Sequence, residues 1–353
     1  MKKIYYITAV FATLFLVGCG DGIDLPGVNV ETDLNKIPLP DNNVNLEQVE
    51  LKPSTEPMLH EGLHTEEDFQ RIRDKKAAGE EPWVSAYQLL VESQFSQKTA
   101  DTYPTEWIKR GVSGDENYMN AARGATIAYQ QALRWKIEQD DEYAAKAVEN
   151  LNKWVQTCVG VTGNTNLSLA AGLYGYEFAI AGELLRDYGG WDRADFAAFQ
   201  NWLLKVFYPA NDDFLKRHHD TNALHYWANW CLCNIAAKMA IGIVTDRRDI
   251  YNEGIAHLQT GDTNGRLRRA IYHDYAPDYN FAQWQESGRD QGHTLMCVGL
   301  MGIICQLAWS QGDDFFAYDD NLFLRACEYA ACCNYTNETV PYTTYIWQKQ
   351  SQW

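Results

Sequence analysis

The chain has 353 residues, 47 of them acidic and 30 basic, for a formal net charge of −17. That balance excludes a nucleic-acid partner, because binding a polyphosphate requires a basic surface. An acidic ligand can be met only where positive charge is concentrated, and Lys216, Arg217, His218, His219, Arg266, Arg268, Arg269 and Arg289 flank two polar clusters, residues 218–230 and 284–293.

The N-terminus reads as an export signal. Lys2 and Lys3 precede an apolar run over residues 4–17 that is too short to span a bilayer, and Leu16-Val17-Gly18-Cys19 forms a lipobox. Residues 1–19 are therefore expected to be a lipoprotein signal peptide, with a lipid on Cys19 as the mature protein's sole contact with membrane. Asp21 and Asp24 resemble the export tags of surface lipoproteins in some Gram-negative bacteria, which places the protein in the periplasm or on the outer membrane. Residues 20–57 are rich in Asp, Asn, Pro and Val without periodicity and suit a flexible tether. Residues 58–353 contain no Pro/Gly/Ser-rich break and are long enough for one large domain.

From Thr65 the periodicity is helical. Thr65 and Asp68 form a capping-box pattern opening TEEDFQRIRDKKAAG, which ends at Gly79. Ala144, Ala147, Val148, Leu151, Trp154, Val155 and Cys158 recur at three- and four-residue steps. Phe196, Phe199, Leu203, Val206 and Phe207 do the same until Pro209 stops the run. Further helices are predicted at about 117–138, 168–188, 223–243, 248–258, 264–275, 289–311 and 320–334, with strand-like alternation almost absent. Residues 227–244 and 294–309 are apolar nearly all round, as inner helices wrapped by a second layer must be. The predicted fold class is all-α, an (α/α) toroid of helical hairpins. Cys231, Cys233, Cys297, Cys305, Cys327, Cys332 and Cys333 fall within these patterns as small buried hydrophobes, and no CxxC pair appears. Twelve tryptophans and 21 tyrosines suit a protein that stacks on sugar rings, or one that fills a large helical core.

Residues 284–293, WQESGRDQGH, place two amides, two carboxylates, an arginine and a histidine around two glycines at the entry to an apolar helix. A helix N-terminus offers unpaired N–H donors and favours anions. Trp284, Gln285, Glu286, Arg289 and His293 therefore read as half of a site for a negatively charged substrate. Residues 218–230, HHDTNALHYWANW, form the other half. Asn222, His225 and Asn229 stand three and four apart and share one face if helical, with Tyr226 and Trp230 placed to stack on sugar. The plainer reading makes Asn222 a helix cap and His225 a core histidine. His218, His219, Asp220 and His225 lack the i, i+4 histidine spacing of a helical metal site, so no metal is expected.

Several segments in order resemble the alginate lyase family of polysaccharide lyases: HTEEDFQRIRDKKAAGEEPW, YGYEFAIAGELLRDYGGW, YWANW, WQESGRDQGHT, AWSQGDD and DDNLFLRACEYAACCNY, spanning about Leu63 to Tyr345. The resemblance implies an (α/α) toroid and cofactor-free β-elimination on an acidic, uronic-acid polysaccharide by asparagine, histidine, arginine and tyrosine side chains. Two departures stand out. The family's Asn-His pair directly precedes its YW helix, whereas Asn222 and His225 are separated here, and His293 stands where a tyrosine follows the arginine. The family also continues beyond a VPYTTY-like segment, so this chain is expected to be a fragment.

Elimination removes the proton at C5 of a uronate and expels the oxygen at C4. Neutralising the adjacent carboxylate is the largest contribution, and Asn222, Asn229, Gln285 and Arg289 can donate to it. His225, His293 and a tyrosine can exchange protons. Of Tyr272, Tyr275 and Tyr279, the last sits in a Pro/Asp/Asn-rich stretch from which a side chain can reach a cleft. Glu286 and Asp290 are expected to orient Arg289 and His293. Two other readings compete: a toroid glycoside hydrolase pairing Glu286 with Asp290 or Glu177, and a glycan-binding lipoprotein without chemistry.

Overall fold

The computed structural model describes residues 54–336, 338–347 and 350–352; the lipobox and nearly all of the tether lie outside them. The elements begin with α1 (Glu66–Ala77), α2 (Trp83–Glu92), β1 (Trp107–Arg110), α3 (Tyr118–Glu138), α4 (Asp141–Thr157), β2 (Gly160–Gly163) and α5 (Leu167–Leu184). They continue with α6 (Arg193–Val206), α7 (Tyr208–Arg217), α8 (Ala228–Val244), α9 (Arg248–Thr260), the single turn α10 (Leu267–Ala270), β3 (Ile271–Asp274) and β4 (Ala282–Trp284). Helices α11 (Gln291–Ser310) and α12 (Tyr318–Tyr335) precede the short strands β5 (Tyr345–Trp347) and β6 (Gln350–Gln352).

The capping box that opens α1 is present, with Thr65 and Asp68 each bonding the other's backbone. Pro209 does more than stop a helix. It occupies the first turn of α7, where its missing N–H costs nothing. Two helix predictions are corrected. The run expected over 223–243 starts only at Ala228, because residues 221–227 form turns. The run expected over 264–275 is one turn followed by strand β3, which pairs antiparallel with β4.

Helices α3, α5, α8 and α11 pack side by side as an inner layer, and α4, α7, α9 and α12 back them from outside. The inner members are correspondingly enclosed. All of α8 except Trp230 is buried, and all of α5 except Leu167 and Glu177. Gly172 permits that closeness, since a Cβ there would come within 2.5 Å of Cys233 Sγ on α8. Helix α11 is apolar and long enough to cross a bilayer, yet it serves as an inner helix between α8 and α12. Lys238, in the middle of α8, is fully buried and meets Asp212 of α7 at 2.7 Å and Glu253 of α9 at 2.5 Å, so one cation ties three helices. All eight described cysteines are free, and six are buried.

The inner helices share a direction. Strands β1 and β2, which precede α3 and α5, pair in parallel. Thr165, just before α5, hydrogen-bonds Tyr226, just before α8. Gln285, just before α11, accepts from the N–H of Ala228, the first residue of α8. All four N-termini therefore open at one end of the layered (α/α) toroid. Both polar clusters are consequently found at that end.

Candidate active site

The first wall of the site begins where α7 ends. His218, His219 and Asp220 all take left-handed backbone angles, with φ of 48°, 52° and 61°, which is uncommon for non-glycine residues and turns the chain sharply. Asn222 then accepts from the N–H of Leu224 at 2.9 Å, an Asx turn, and Trp227 supplies the N-terminal boundary of α8. Asn222 and His225 thus precede the helix, and the single face expected to hold them with Asn229 does not exist. Asn229 is buried in the first turn, its amide 3.9 Å from Met296 Sδ of α11, and its Oδ1 has no hydrogen-bond partner among the described residues. Asn264 donates to the carbonyls of Leu224 (3.1 Å) and Tyr226 (2.8 Å) and fixes the turn.

His225 is half-buried, and desolvation holds its imidazole below the usual histidine range, so it is neutral at neutral pH. Tyr226 packs on Trp230 (ring centroids 4.7 Å) and on Phe214 (5.2 Å), while burial raises its phenol above the ordinary value. Trp230 remains partly accessible.

The second wall is the β3–β4 hairpin and the turn leading into α11. Asp290 caps α11 by accepting from the N–H of His293 at 2.9 Å, and its other oxygen lies 2.8 Å from His293 Nδ1. Glu286 ion-pairs with Arg289 and stands 3.5 Å from His293 Nδ1. Its second oxygen is buried without a hydrogen-bond partner among the described residues. The two carboxylates therefore hold the arginine and the histidine in place. Gln285 is a staple: its carbonyl accepts from Ala228 at 3.2 Å and its amide donates to the carbonyl of Arg269 at 2.8 Å.

The two walls meet. The Arg289 guanidinium lies 4.6 Å from the ring centre of Trp227, two residues beyond His225. Tyr345 closes the group from the C-terminal strand, with ring centroids 5.7 Å from Trp227 and 4.9 Å from Tyr272. Burial raises the Tyr345 phenol, with Arg269 opposing and Glu286 adding to the shift. Arg269 is itself half-buried, and none of the described residues gives its side chain a hydrogen bond or close ion pair. Burial, and then the neighbouring Arg266 charge, lower its pKa, with Asp262 and Tyr345 opposing. Such a cation is poised for an anion.

Two expected contacts fall elsewhere. Trp284 is 1% exposed, donates to the carbonyl of Ala326 and meets Phe323 edge-on, so it has no ring face for a sugar. Tyr279 is 54% exposed at the hairpin tip and makes no ring contact with the cluster. Its neighbours are engaged instead by the segment before β5. Tyr275 donates to Gln283 Oε1 (2.5 Å) and lies 3.1 Å from Thr343 Oγ1, and Tyr272 donates to the Thr343 carbonyl. Trp227 lies inside the 218–230 cluster but was not singled out there, and Tyr345 lies outside both clusters. Arg269 stood only among general basic residues, because being unpaired is invisible in sequence. Among the described residues, no group of three or more His, Cys, Asp or Glu is placed to hold a metal ion.

The fold is shared with solved structures. A variant of alginate lyase A1-III complexed with tetrasaccharide aligns with a TM-score of 0.60 at 14% identity, covering 80% of this chain and 82% of that one. Alginate lyase A1-III from Sphingomonas species A1 aligns with a TM-score of 0.54 at 14% identity, over 78% and 80% of the two chains. An alginate lyase from Bacteroides ovatus gives 0.53 at 14%, over 76% and 82%. No curated protein matches the chain. The family model described as alginate lyase matches residues 72–338, well over half of the sequence, and the chain belongs to the alginate lyase family.

Proposed function

We propose that this polysaccharide lyase cleaves a uronic-acid polymer, alginate or a close relative, by β-elimination at the mouth formed by His225, Trp227, Arg269 and Arg289. The observation that carries the reading is Arg269, a half-buried cation with no described carboxylate within ion-pairing distance, felt by Asp262 only from farther off, beside the Arg289–Trp227 pair in a chain of net charge −17. Binding the uronate carboxylate there spreads the charge that develops as the C5 proton leaves, worth ~10² to 10³ in rate for a single lost donor. Asn222 and Asn229 are further donors to that carboxylate.

A neutral imidazole is the form a base requires, so His225 takes the C5 proton. The C5–H electron pair becomes the C4=C5 double bond, the C4–O bond breaks, and the leaving oxygen is protonated by a neutral phenol. Tyr345 is the phenol that meets Trp227 and feels both Arg269 and Glu286; at 2% exposure it can donate only to an oxygen that enters the space beside Trp227. Glu286 is tied to Arg289 and Asp290 to His293, which engages the Glu286–Asp290 pair that an inverting hydrolase would need free.

Incubating the protein with polymannuronate, polyguluronate, glucuronan and glycosaminoglycans while following ultraviolet absorbance tests the reading. Unsaturated ends are expected from at least one polymer. New reducing ends without absorbance would establish hydrolysis, and unchanged chain length would establish binding alone. We also propose lipid attachment at Cys19 and export to the periplasm or outer membrane. Radiolabelled palmitate should label the wild type and not Cys19→Ala.

A further inference from the structure

We propose that Arg110 holds the carboxylate of a second uronate ring, so that the enzyme grips two charged rings of one polysaccharide chain. The inference rests on the lyase reading and deepens it. Arg110 is the last residue of β1, opposite Gly163 of β2. It is 6% exposed, its guanidinium lies 4.7 Å from the ring centre of Tyr118, and Nη1 is enclosed with no hydrogen-bond partner. No described carboxylate stands within ion-pairing distance of it.

The other interior arginines differ. Arg134 is paired with Glu138, Arg186 with Glu183 and Asp246, and Arg325 with Asp274 and Asp320. An enclosed cation without a counter-charge is costly, and the ring face of Tyr118 offsets only part of that cost. With 47 acidic side chains in the sequence, a partner would be easy to supply. Among the described residues none is supplied, and an anion from outside is the counter-charge that fits.

Arg110 also stands at the right end of the molecule. Tyr118 is the first residue of α3. Gly163 leads within two residues to Thr165, whose side chain bonds Tyr226 and whose backbone bonds His219 of the first wall. Helix α8 lies between α5 and α11, so Arg110 and Arg289 stand on opposite sides of the α8 N-terminus. One sugar ring cannot touch both. The occupant is a different ring of the same chain, and its carboxylate matches the two-pronged guanidinium donor.

Wild type, Arg110→Ala, Arg110→Gln and Arg110→Lys are compared on mannuronate trimers and octamers, with melting temperatures alongside. Arg110→Ala and Arg110→Gln should raise the octamer KM about tenfold with kcat within twofold, leave the trimer unchanged, and Arg110→Lys should recover part of the loss. If Arg110→Ala does not fold, Arg110→Gln carries the comparison. Equal changes for trimer and octamer, or none for either, overturn the proposal. A wild type that cleaves neither is assayed for octamer binding by calorimetry, which separates a failed lyase reading from a failed second subsite. There, unweakened binding by Arg110→Gln is the overturning result.

Discussion

Gln285 provides the sharpest test of how the site is built, because sequence and structure give it different duties. Its residue type in a polar cluster suggests a donor to substrate, whereas in the fold it bonds Ala228 N–H at one end and the Arg269 carbonyl at the other, at 3% exposure. Replacing it with Met keeps most of the volume and removes both bonds. Two buried hydrogen bonds at ~1 kcal/mol each, plus partial desolvation of the groups left behind, amount to about 2–4 kcal/mol. At roughly 2–4 °C per kcal/mol for a domain of this size, the melting temperature should fall by about 4–16 °C. The same change frees the wall carrying Arg269 from the wall carrying Trp227, and a shift near 1 Å in such positions can cost ~10²-fold in kcat. Calorimetry and ultraviolet kinetics on one preparation read both. A Gln285→Met protein that melts like wild type and differs only in KM would refute the staple and restore a substrate contact.

Arg269→Ala should lower kcat/KM by ~10² to 10³ with little change in melting temperature, since the side chain has no described bonding partner to lose; an equally active variant would remove it from the site. His225→Ala should abolish turnover, and the acidic limb of wild-type kcat/KM should fall below pH 6.5 because the folded imidazole is depressed, as a pH-rate profile would show. Trp284→Ala should destabilise by about 3–5 kcal/mol in urea unfolding, the cost of emptying a core site, rather than merely weaken substrate binding. Stability should also decline from pH 6.5 toward 4. His64, His218 and His257 are each lowered to about 4 by burial, so the unfolded chain binds protons that the native one refuses and the histidines' contribution is lost as pH falls. Glu177, pushed up to about 8 by burial, acts oppositely and removes stability as pH rises from 4.5 to 8. Urea midpoints at pH 5, 6 and 7 should rise in that order, three histidines outweighing one carboxyl.

The sequence alone determined the layers. Continuous apolar runs marked α8 and α11 as inner helices because a helix greasy on every side must be surrounded, and the capping box of α1 was legible because its partners are three residues apart. Local polar density also marked both walls of the candidate site, since WQESGRDQGH and HHDTNALHYWANW cannot pack as core segments. Tertiary structure decided everything that depends on separation. The turns of residues 221–227 are held by Asn264, some forty residues away, which is why a helix extrapolated from spacing began too early. Trp284 looked like a sugar platform until Ala326 and Phe323 enclosed it. Arg269 and Arg110 acquired meaning only from partners they lack, and Tyr345 only from Trp227, more than a hundred residues earlier. Periodicity records which face is buried. What covers that face, and which charge is left uncovered, is settled by contacts between segments distant along the chain.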